Sequence, residues 1–207
     1  MFNESHRAQL ERGLKEMNIE LSPDSIDQLI DFLRMMVKWN RVYNLSAIRE
    51  PEQMVRLHLL DSLAVLPFLY GKRCIDVGTG AGLPGIPLAI ARPDMQFGLL
   101  DSNSKKTRFI QQACIELGLS NVSPLHDRIE EFQPEQKFDT VTARAFTAMP
   151  DLLLKTRHLL TAGGKLLAMK SKETQAIESK DFQFSCVESL AIPELEATRN
   201  LVIYTAV

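Results

Sequence analysis

The N-terminal third of the chain carries apolar residues at helical spacing. Between positions 22 and 39 they recur every three or four residues, which predicts a helix with one apolar face. These residues are Ile26, Leu29, Ile30, Leu33 and Val37. The triplet Ser22-Pro23-Asp24 precedes them and provides an N-cap, a first-turn proline and a first-turn acid. The same spacing predicts helices over residues 5–17 and 51–69, so we expect an N-terminal helical extension over residues 1–70.

From Arg73 onward, short apolar runs alternate with helical patterns. The runs predict strands over residues 73–77, 96–100, 122–126, 140–143 and 165–169. Between them, helices are predicted over residues 83–91, 104–117 and 149–160. Strands that alternate with helices indicate a parallel sheet covered on both faces. The last segments, 182–190 and 200–207, are both strand-like and predict a closing antiparallel hairpin.

A glycine-rich turn follows the first predicted strand, in the stretch RCIDVGTGAGLPGIPLAI. A dinucleotide fingerprint can be aligned on Gly80, Gly82 and Gly85, but its first glycine should close the strand, and Gly78 already does so. The better pattern is Asp76 followed by glycines at alternate positions. An acid at Asp76 disfavours a pyrophosphate and suits a ligand that bears an amine and a sulfonium.

This turn resembles motif I of the class I methyltransferases that use S-adenosylmethionine. A closing hairpin with an antiparallel last strand is also usual for that fold and unusual for dinucleotide dehydrogenases. We therefore expect an α/β, Rossmann-like class I methyltransferase fold. Its sheet would be mostly parallel and seven-stranded, it would end in an antiparallel hairpin, and it would occupy residues 71–207 after the helical extension.

Other polar residues follow the predicted strands where a ligand would lie. Asp101 ends the second strand, and an acid there can accept hydrogen bonds from both ribose hydroxyls of an adenosine. That spacing also fits NAD, and a helix N-cap is the alternative role. After the third strand, Ile129 and Glu130 are the positions expected to border an adenine, with a solvated helix start as the alternative.

Basic residues gather at the predicted switch point of the sheet. Arg144 emerges from the fourth strand, beside the first, and needs a partner. That partner is a cofactor carboxylate, an RNA phosphate or an internal acid. Lys170, Lys172 and Arg199 lie on the same rim, and Lys170 and Arg199 are candidates for RNA binding. The basic cluster on the helix after the second strand is interpreted as a solvated face; its members are Lys105, Lys106 and Arg108.

Composition narrows the class of protein. The chain has 207 residues, of which 45% are hydrophobic and 24% charged, as in soluble globular proteins. A formal net charge of −2 argues against a protein that coats nucleic acid non-specifically. The three cysteines lie far apart in the sequence and lack the spacing of metal ligands. We interpret them as core residues of a protein that resides in a reducing compartment. No signal peptide or membrane span is predicted, so we expect a cytoplasmic protein.

Six stretches together resemble one family. They are WNRVYNLSAI, RLHLLDSL, IDVGTGAGLPGIPLAI, LLDSNSKKTRFI, RIEEF and ARAF. In this order and spacing, from about residue 21 to the C-terminus, they are similar to the bacterial 16S ribosomal RNA guanine-N7 methyltransferases, the RsmG or GidB family. The resemblance implies methylation of a guanosine near the decoding centre of the small ribosomal subunit. It also implies an S-adenosylmethionine site that is carried by Gly78, Leu83, the Ile129–Glu130 pair and Arg144.

This sequence departs from the family pattern at two places. Ala81 stands where the turn usually has proline, and Ser171 follows Lys170 where glycine is usual. Neither change removes a ligand-contacting side chain, so they bear on loop rigidity and not on activity.

The chemistry implied by the resemblance needs no general base, because guanine N7 has a free lone pair. We therefore expect no obligatory catalytic residue, a positioning role for Arg144, and structural roles for His58, Asp61 and His126. Near the N-terminal motif, Asn40, Tyr43 and Asn44 either bind RNA or brace the helices on the sheet.

The expected partner is 16S ribosomal RNA or the small subunit, and the expected state is a monomer with no metal. Three alternatives stay open at this point. They are a methyltransferase of proteins or small molecules, a non-catalytic S-adenosylmethionine-binding assembly factor, and an NAD-dependent oxidoreductase, which Asp76 and the hairpin disfavour.

Overall fold

A seven-stranded sheet organises the molecule. The structure is a computed structural model that describes residues 2–171, 176–195 and 197–207. The strand order is β3-β2-β1-β4-β5-β7-β6. The strands are β1 (Arg73–Val77), β2 (Gln96–Asp101), β3 (Val122–His126), β4 (Phe138–Arg144), β5 (Leu160–Lys170), β6 (Phe182–Ser189) and β7 (Asn200–Ala206). Strands β1 to β5 run parallel, and β7 is antiparallel to both β5 and β6. The predicted fold class is confirmed.

Helices precede the sheet and connect its strands. They are α1 (Glu4–Glu16), α2 (Pro23–Tyr43), α3 (Pro51–Met54), α4 (Asp61–Leu63), α5 (Gly85–Ala91), α6 (Ser104–Leu117) and α7 (Met149–Thr156). A π-helical segment, Val55–Leu60, joins α3 to α4, and a short 3₁₀ turn covers Leu66–Phe68. The prediction of one regular helix over residues 51–69 was therefore wrong, because the segment consists of several short helical pieces. Pro67 has no N–H to continue an α-helix, so the chain leaves the helix before β1.

Two other boundaries differ from the prediction because strand pairing decides them. The helix predicted over 149–160 ends at Thr156, since Leu160 pairs with Phe138 at the start of the β4–β5 ladder. For the same reason β4 is longer than residues 140–143, and Phe138 belongs to it.

The caps of α2 and α6 explain where these helices begin and end. The Ser22 side chain accepts a hydrogen bond from the Ser25 N–H, and α2 ends at Asn44, which has φ +48°. At α6 the Asn103 side chain caps the N-terminus, and Gly118 ends the helix with φ +66°. The N-cap is thus Asn103, and the alternative of Asp101 as the cap does not hold.

The hydrophobic core lies on both faces of the sheet. On one face, the N-terminal helices pack with α5 and α6 against β1 and β2. The ring of Phe109 on α6 lies 6.1 Å from that of Phe32 and 5.6 Å from that of Trp39, both on α2. On the other face, α7 covers β4 and β5, and Tyr204 is fully buried. The N-terminal helices therefore share one core with the sheet.

The described ranges contain no helix with both the length and the apolar composition needed to cross a bilayer. Within the same ranges, histidine, cysteine and acidic side chains form no cluster suited to a metal ion. Cys74 is buried in the core, whereas Cys114 and Cys186 are half-buried.

Replacement of Phe109 by alanine tests the shared core. The change leaves a cavity between α2 and α6, so we expect the free energy of unfolding to fall by about 3–5 kcal/mol. Urea denaturation measures it. Ile115→Ala, on the same helix but 67% exposed, is the control and should stay within about 0.5 kcal/mol of wild type. Equal effects of the two changes would contradict a common core.

Candidate active site: two adjoining cavities

Asp76 supports the glycine turn from beneath. Its carboxylate accepts hydrogen bonds from Thr79 Oγ1 at 2.6 Å, the Gly85 N–H at 3.0 Å and Thr142 Oγ1 at 3.0 Å. Burial raises the pKa of Asp76 to about 6, although these donors and the charge of Arg144 oppose the shift. The side chain is fully buried, and its hydrogen bonds are made within the protein. A contact between Asp76 and a ligand stays a prediction.

The turn itself needs glycine where the backbone adopts positive φ. Gly78 has φ +64°, and a Cβ there would lie 2.2 Å from Cδ2 of Phe146. Gly80 has φ +62°, and its N–H donates to Asp101 Oδ2 at 2.9 Å. The loop backbone therefore faces the end of β2, as expected for a site that receives a ligand above β1.

A first cavity of about 360 Å³ opens beside this turn. Its walls come from the ends of β1, β2 and β4 and from the loop after β3. Lining residues central to the site are Gly78, Asp101, Lys106, Ile129, Glu130 and Phe146. Asp101 is held in place because its carboxylate also accepts the Asn103 N–H at 2.9 Å.

Four of the predicted cofactor residues meet in this cavity: Gly78, Asp101, Ile129 and Glu130. Gly80 contributes through its hydrogen bond to Asp101. Leu83 is buried behind the turn, where only 5% of it is exposed. Glu130 pairs with Lys155 at 2.7 Å, and this hydrogen bond lowers the pKa of Glu130.

A second cavity, of about 370 Å³, adjoins the first. Ala145 lines both cavities, and Phe146, which follows it, lines the first. The second cavity combines apolar residues with a cluster of charged ones. Its lining residues are Ile48, Leu57, His58, Asp61, Arg144, Ala145, Met169, Lys170, Ser171 and Arg199.

Two arginines share one buried carboxylate at this cavity. The Asp61 carboxylate accepts a hydrogen bond from Arg144 Nη1 at 3.1 Å and another from Arg199 Nε at 3.0 Å. Of the three partners left open for Arg144, the structure therefore contains the internal acid. Arg144 lines the second cavity and not the first, and a contact between Arg144 and a cofactor stays a prediction.

The remaining residues predicted to bind RNA do not all lie at the second cavity. Lys170 lines the second cavity and donates to the Thr147 carbonyl at 2.7 Å, and burial lowers its pKa. Asn44 is exposed at the end of α2 and lines neither cavity. Lys172 lies outside the described residues.

His58 is held by the loop that follows α2. Its Nε2 lies 2.9 Å from Ser46 Oγ, and the Asn40 side chain fixes the Ser46 backbone through bonds of 2.8 and 2.9 Å. Only 3% of His58 is exposed. Desolvation, followed by the charge of Arg144, lowers the pKa of His58 to about 4, so the ring is neutral at pH 7.

Sequence reasoning missed three features of the site. Lys106 was interpreted as part of a solvated face, yet its Nζ lies 3.7 Å from Asp101 Oδ2 across the first cavity. The link from Asp61 to Arg199 joins positions far apart in the chain, and no local pattern signals it. Ala145 has φ +50°, which residue type alone does not suggest.

The buried neutral state of His58 makes stability depend on pH. Between about pH 4 and its ordinary pKa of 6.5, the unfolded chain binds a proton that the folded chain excludes. Stability is therefore fully present above pH 6.5 and is lost as the pH falls. Urea denaturation at pH 7.5 and 5.0 should show wild type losing about 2 kcal/mol more than His58→Asn. An equal loss in both proteins would contradict this assignment.

Comparisons with known proteins identify the family of this chain. A profile described as "rRNA small subunit methyltransferase G" (GidB) matches residues 25–202. A protein of Chromobacterium violaceum named ribosomal RNA small subunit methyltransferase G is 48% identical over 201 residues, which cover 95% of this chain and 96% of the relative. A protein of the same name from Legionella pneumophila is 47% identical over 202 residues, with 97% and 95% coverage.

Solved structures agree on the fold. A putative O-methyltransferase from Klebsiella pneumoniae superposes with a TM-score of 0.61 at 12% identity and covers 98% of both chains. An S-adenosylmethionine-dependent methyltransferase from Aquifex aeolicus gives 0.56 at 16% identity, with 73% of this chain and 93% of that one covered. At such identities the likeness concerns the fold alone. From the profile and the close relatives, this chain belongs to the rRNA small subunit methyltransferase G family.

Proposed function

We propose that this chain transfers a methyl group from S-adenosylmethionine to N7 of one guanosine in 16S ribosomal RNA, near the decoding region. The observation that carries the proposal is the pair of cavities with a common wall at Ala145. One is built for an adenosine-containing ligand, and the other gathers cationic side chains. Methyl transfer between two bound molecules needs such neighbouring sites.

The residues that line the first cavity suit S-adenosylmethionine. Gly78 leaves the backbone open, Asp101 offers a carboxylate to ribose hydroxyls, and Ile129 presents an apolar surface to an adenine ring. When bound, the cofactor supplies an electrophilic methyl group on a sulfonium. The Lys106 contact with Asp101, at 3.7 Å, is long enough to exchange for a ribose hydroxyl.

The second cavity is suited to a nucleotide of RNA. Three cationic side chains line it together with one buried acid, Asp61; they are Arg144, Lys170 and Arg199. This excess of positive charge can bind phosphate although the whole chain has a net charge of −2. The apolar side chains of Leu57 and Met169 offer a surface for a flipped or unpaired base.

Within this arrangement the protein's task is to position the two reactants and to exclude water. Guanine N7 carries a lone pair and needs no deprotonation, so no side chain has to act as a base. His58 is neutral at pH 7 and Asp61 is engaged by two arginines, which fits structural or positioning roles. Arg144 positions the substrate from the second cavity.

The N-terminal helices take part in the proposed site. His58 and Asp61 come from the extension over residues 1–70, whereas Arg144 and Arg199 come from the domain over residues 71–207. We infer that the two parts act together, as a cytoplasmic monomer.

Labelled methyl transfer tests the reaction. Purified protein is incubated with radiolabelled S-adenosylmethionine and small-subunit RNA from cells that lack the protein, and the label is mapped by digestion and mass spectrometry. We expect label at N7 of one guanosine. Cofactor binding without labelled RNA would favour a methyltransferase of proteins or small molecules, or a non-catalytic assembly factor.

Two glycine substitutions test the cofactor cavity. Gly78→Ala places a methyl group where Phe146 Cδ2 lies 2.2 Å away, whereas Gly118 has nearly the same φ and nothing within 4 Å. Each change should cost about 1–2 kcal/mol of stability from the left-handed backbone. Calorimetry should show that only Gly78→Ala weakens S-adenosylmethionine binding, by about tenfold or more, equivalent to about 1.4 kcal/mol. Equal binding by both variants would argue against this cavity.

A further inference from the structure

An exposed basic surface lies where α2 ends and α6 begins. The sequence has no aspartate or glutamate between residues 32 and 49 or between residues 102 and 115. Four exposed cations of these stretches form what we call the basic face: Lys38, Arg41, Lys105 and Arg108. Among the residues that the structure describes, none forms an ion pair with any of the four. Their charges are therefore available to a partner outside the chain.

The antiparallel packing of α2 and α6 brings these cations to one edge of the molecule. At the end of α6, the Leu117 carbonyl accepts a hydrogen bond from the Gln28 side chain at 2.9 Å. Closer to the start of α6, the ring of Phe109 packs against that of Trp39. The two helices therefore run in opposite directions, and α2 ends where α6 begins. Because α6 begins shortly after Asp101, at the carboxyl end of β2, the basic face lies at the edge of the sheet where both cavities open.

Helix stability does not account for the cations of α6. The amino end of a helix macrodipole is positive, so acids are favourable in the first turn and cations are not. Helix α2 follows this rule, with Asp24 in its first turn and Arg41 in its last. Helix α6 does not, because it has no acid in its first turn, and Lys105, Lys106 and Arg108 lie in its first two turns. Exposed cations that oppose the dipole indicate an anionic partner.

Resting on the function proposed above, we propose that the basic face binds the sugar–phosphate backbone of 16S ribosomal RNA beside the target guanosine. RNA presents a row of phosphates, and exposed lysines and arginines bind such a polyanion without reading its bases. The face adjoins the first cavity, because Lys105 is followed by Lys106, which lines that cavity. Asn44, which was predicted to bind RNA, is exposed at the end of α2 beside the same face. The face therefore holds the RNA, and the cavities bind the cofactor and the base.

A charge-matched pair of variants tests the inference. Each variant replaces three exposed cations by glutamine, so the two proteins have the same net charge. The face variant carries Lys38→Gln, Lys105→Gln and Arg108→Gln. The control variant carries Lys15→Gln, Lys137→Gln and Lys180→Gln. The control cations lie near the starts of α2, β4 and β6, at the opposite edge of the sheet, and line neither cavity.

Binding and turnover are measured separately. Filter binding between about 50 and 300 mM potassium chloride gives the affinity and its salt dependence. The two ligands are deproteinised small-subunit RNA and assembled small subunits, both from cells that lack the protein. Methyl transfer to the RNA gives kcat and KM. Calorimetry with S-adenosylmethionine and the melting temperature verify that each variant is folded.

We expect the face variant to bind the RNA about tenfold to a hundredfold more weakly than wild type at about 100 mM salt. The slope of log affinity against log salt should fall in magnitude by about two to three, one contact for each cation removed. The KM for RNA should rise, whereas kcat and cofactor affinity should stay near wild type, because the face lies outside the site of methyl transfer. The control variant should match wild type throughout.

Equal RNA affinity of the face and control variants would overturn the inference. So would a face variant that keeps its affinity for RNA and loses affinity only for assembled subunits, since the face would then bind a ribosomal protein. Wild type that binds the RNA through this face but methylates no guanosine would overturn the proposed function alone. The two failures are therefore distinguishable.

Discussion

The fully buried carboxylate of Asp76 is the constraint on which the geometry of the site depends. It binds the turn at Thr79, the start of α5 at Gly85 and the neighbouring strand at Thr142. An acid in the interior is stable only when donors surround it. Because those donors come from three separate segments, the turn, the helix and β4 are fixed relative to one another. Gly78 and Gly80, which have no side chains, can then turn their backbone toward the first cavity.

A second buried acid fixes the other half of the site. Asp61 follows the π-helical segment and binds Arg144 at the end of β4 and Arg199 just before β7. Removal of such a carboxylate would leave two guanidinium groups close together without compensation. Asp61 therefore joins the helical extension to the end of β4, a parallel strand, and to the start of β7, an antiparallel one. It also explains how a chain with net negative charge maintains a basic cavity.

The sequence was sufficient for the parts of the fold that depend on local chemistry. Apolar periodicity located the strands, and the caps at Ser22 and Gly118 located helix ends. The glycine turn, together with Asp101, Ile129 and Glu130, could also be anticipated, because the ends of parallel strands meet at one edge of a sheet. What the sequence did not reveal depends on distant pairing. The start of β5 is set by Phe138, and the ion-pair partners of Asp61 and Lys106 come from other elements.

The two cavities differ in charge, which supports the different ligands proposed for them. In the first, three acids, Asp101, Asp127 and Glu130, are matched by three bases, Lys106, Arg128 and Lys155. In the second, one acid faces three bases. A balanced cavity suits a cofactor that carries charges of both signs, whereas an excess of bases suits a polyanion. Their common wall at Ala145 has a left-handed backbone, with φ +50°, and the same turn sets Phe146 against Gly78. The proposed meeting point of the two ligands therefore lies at a left-handed residue directly after β4. Local strain of this kind is often retained where function requires it.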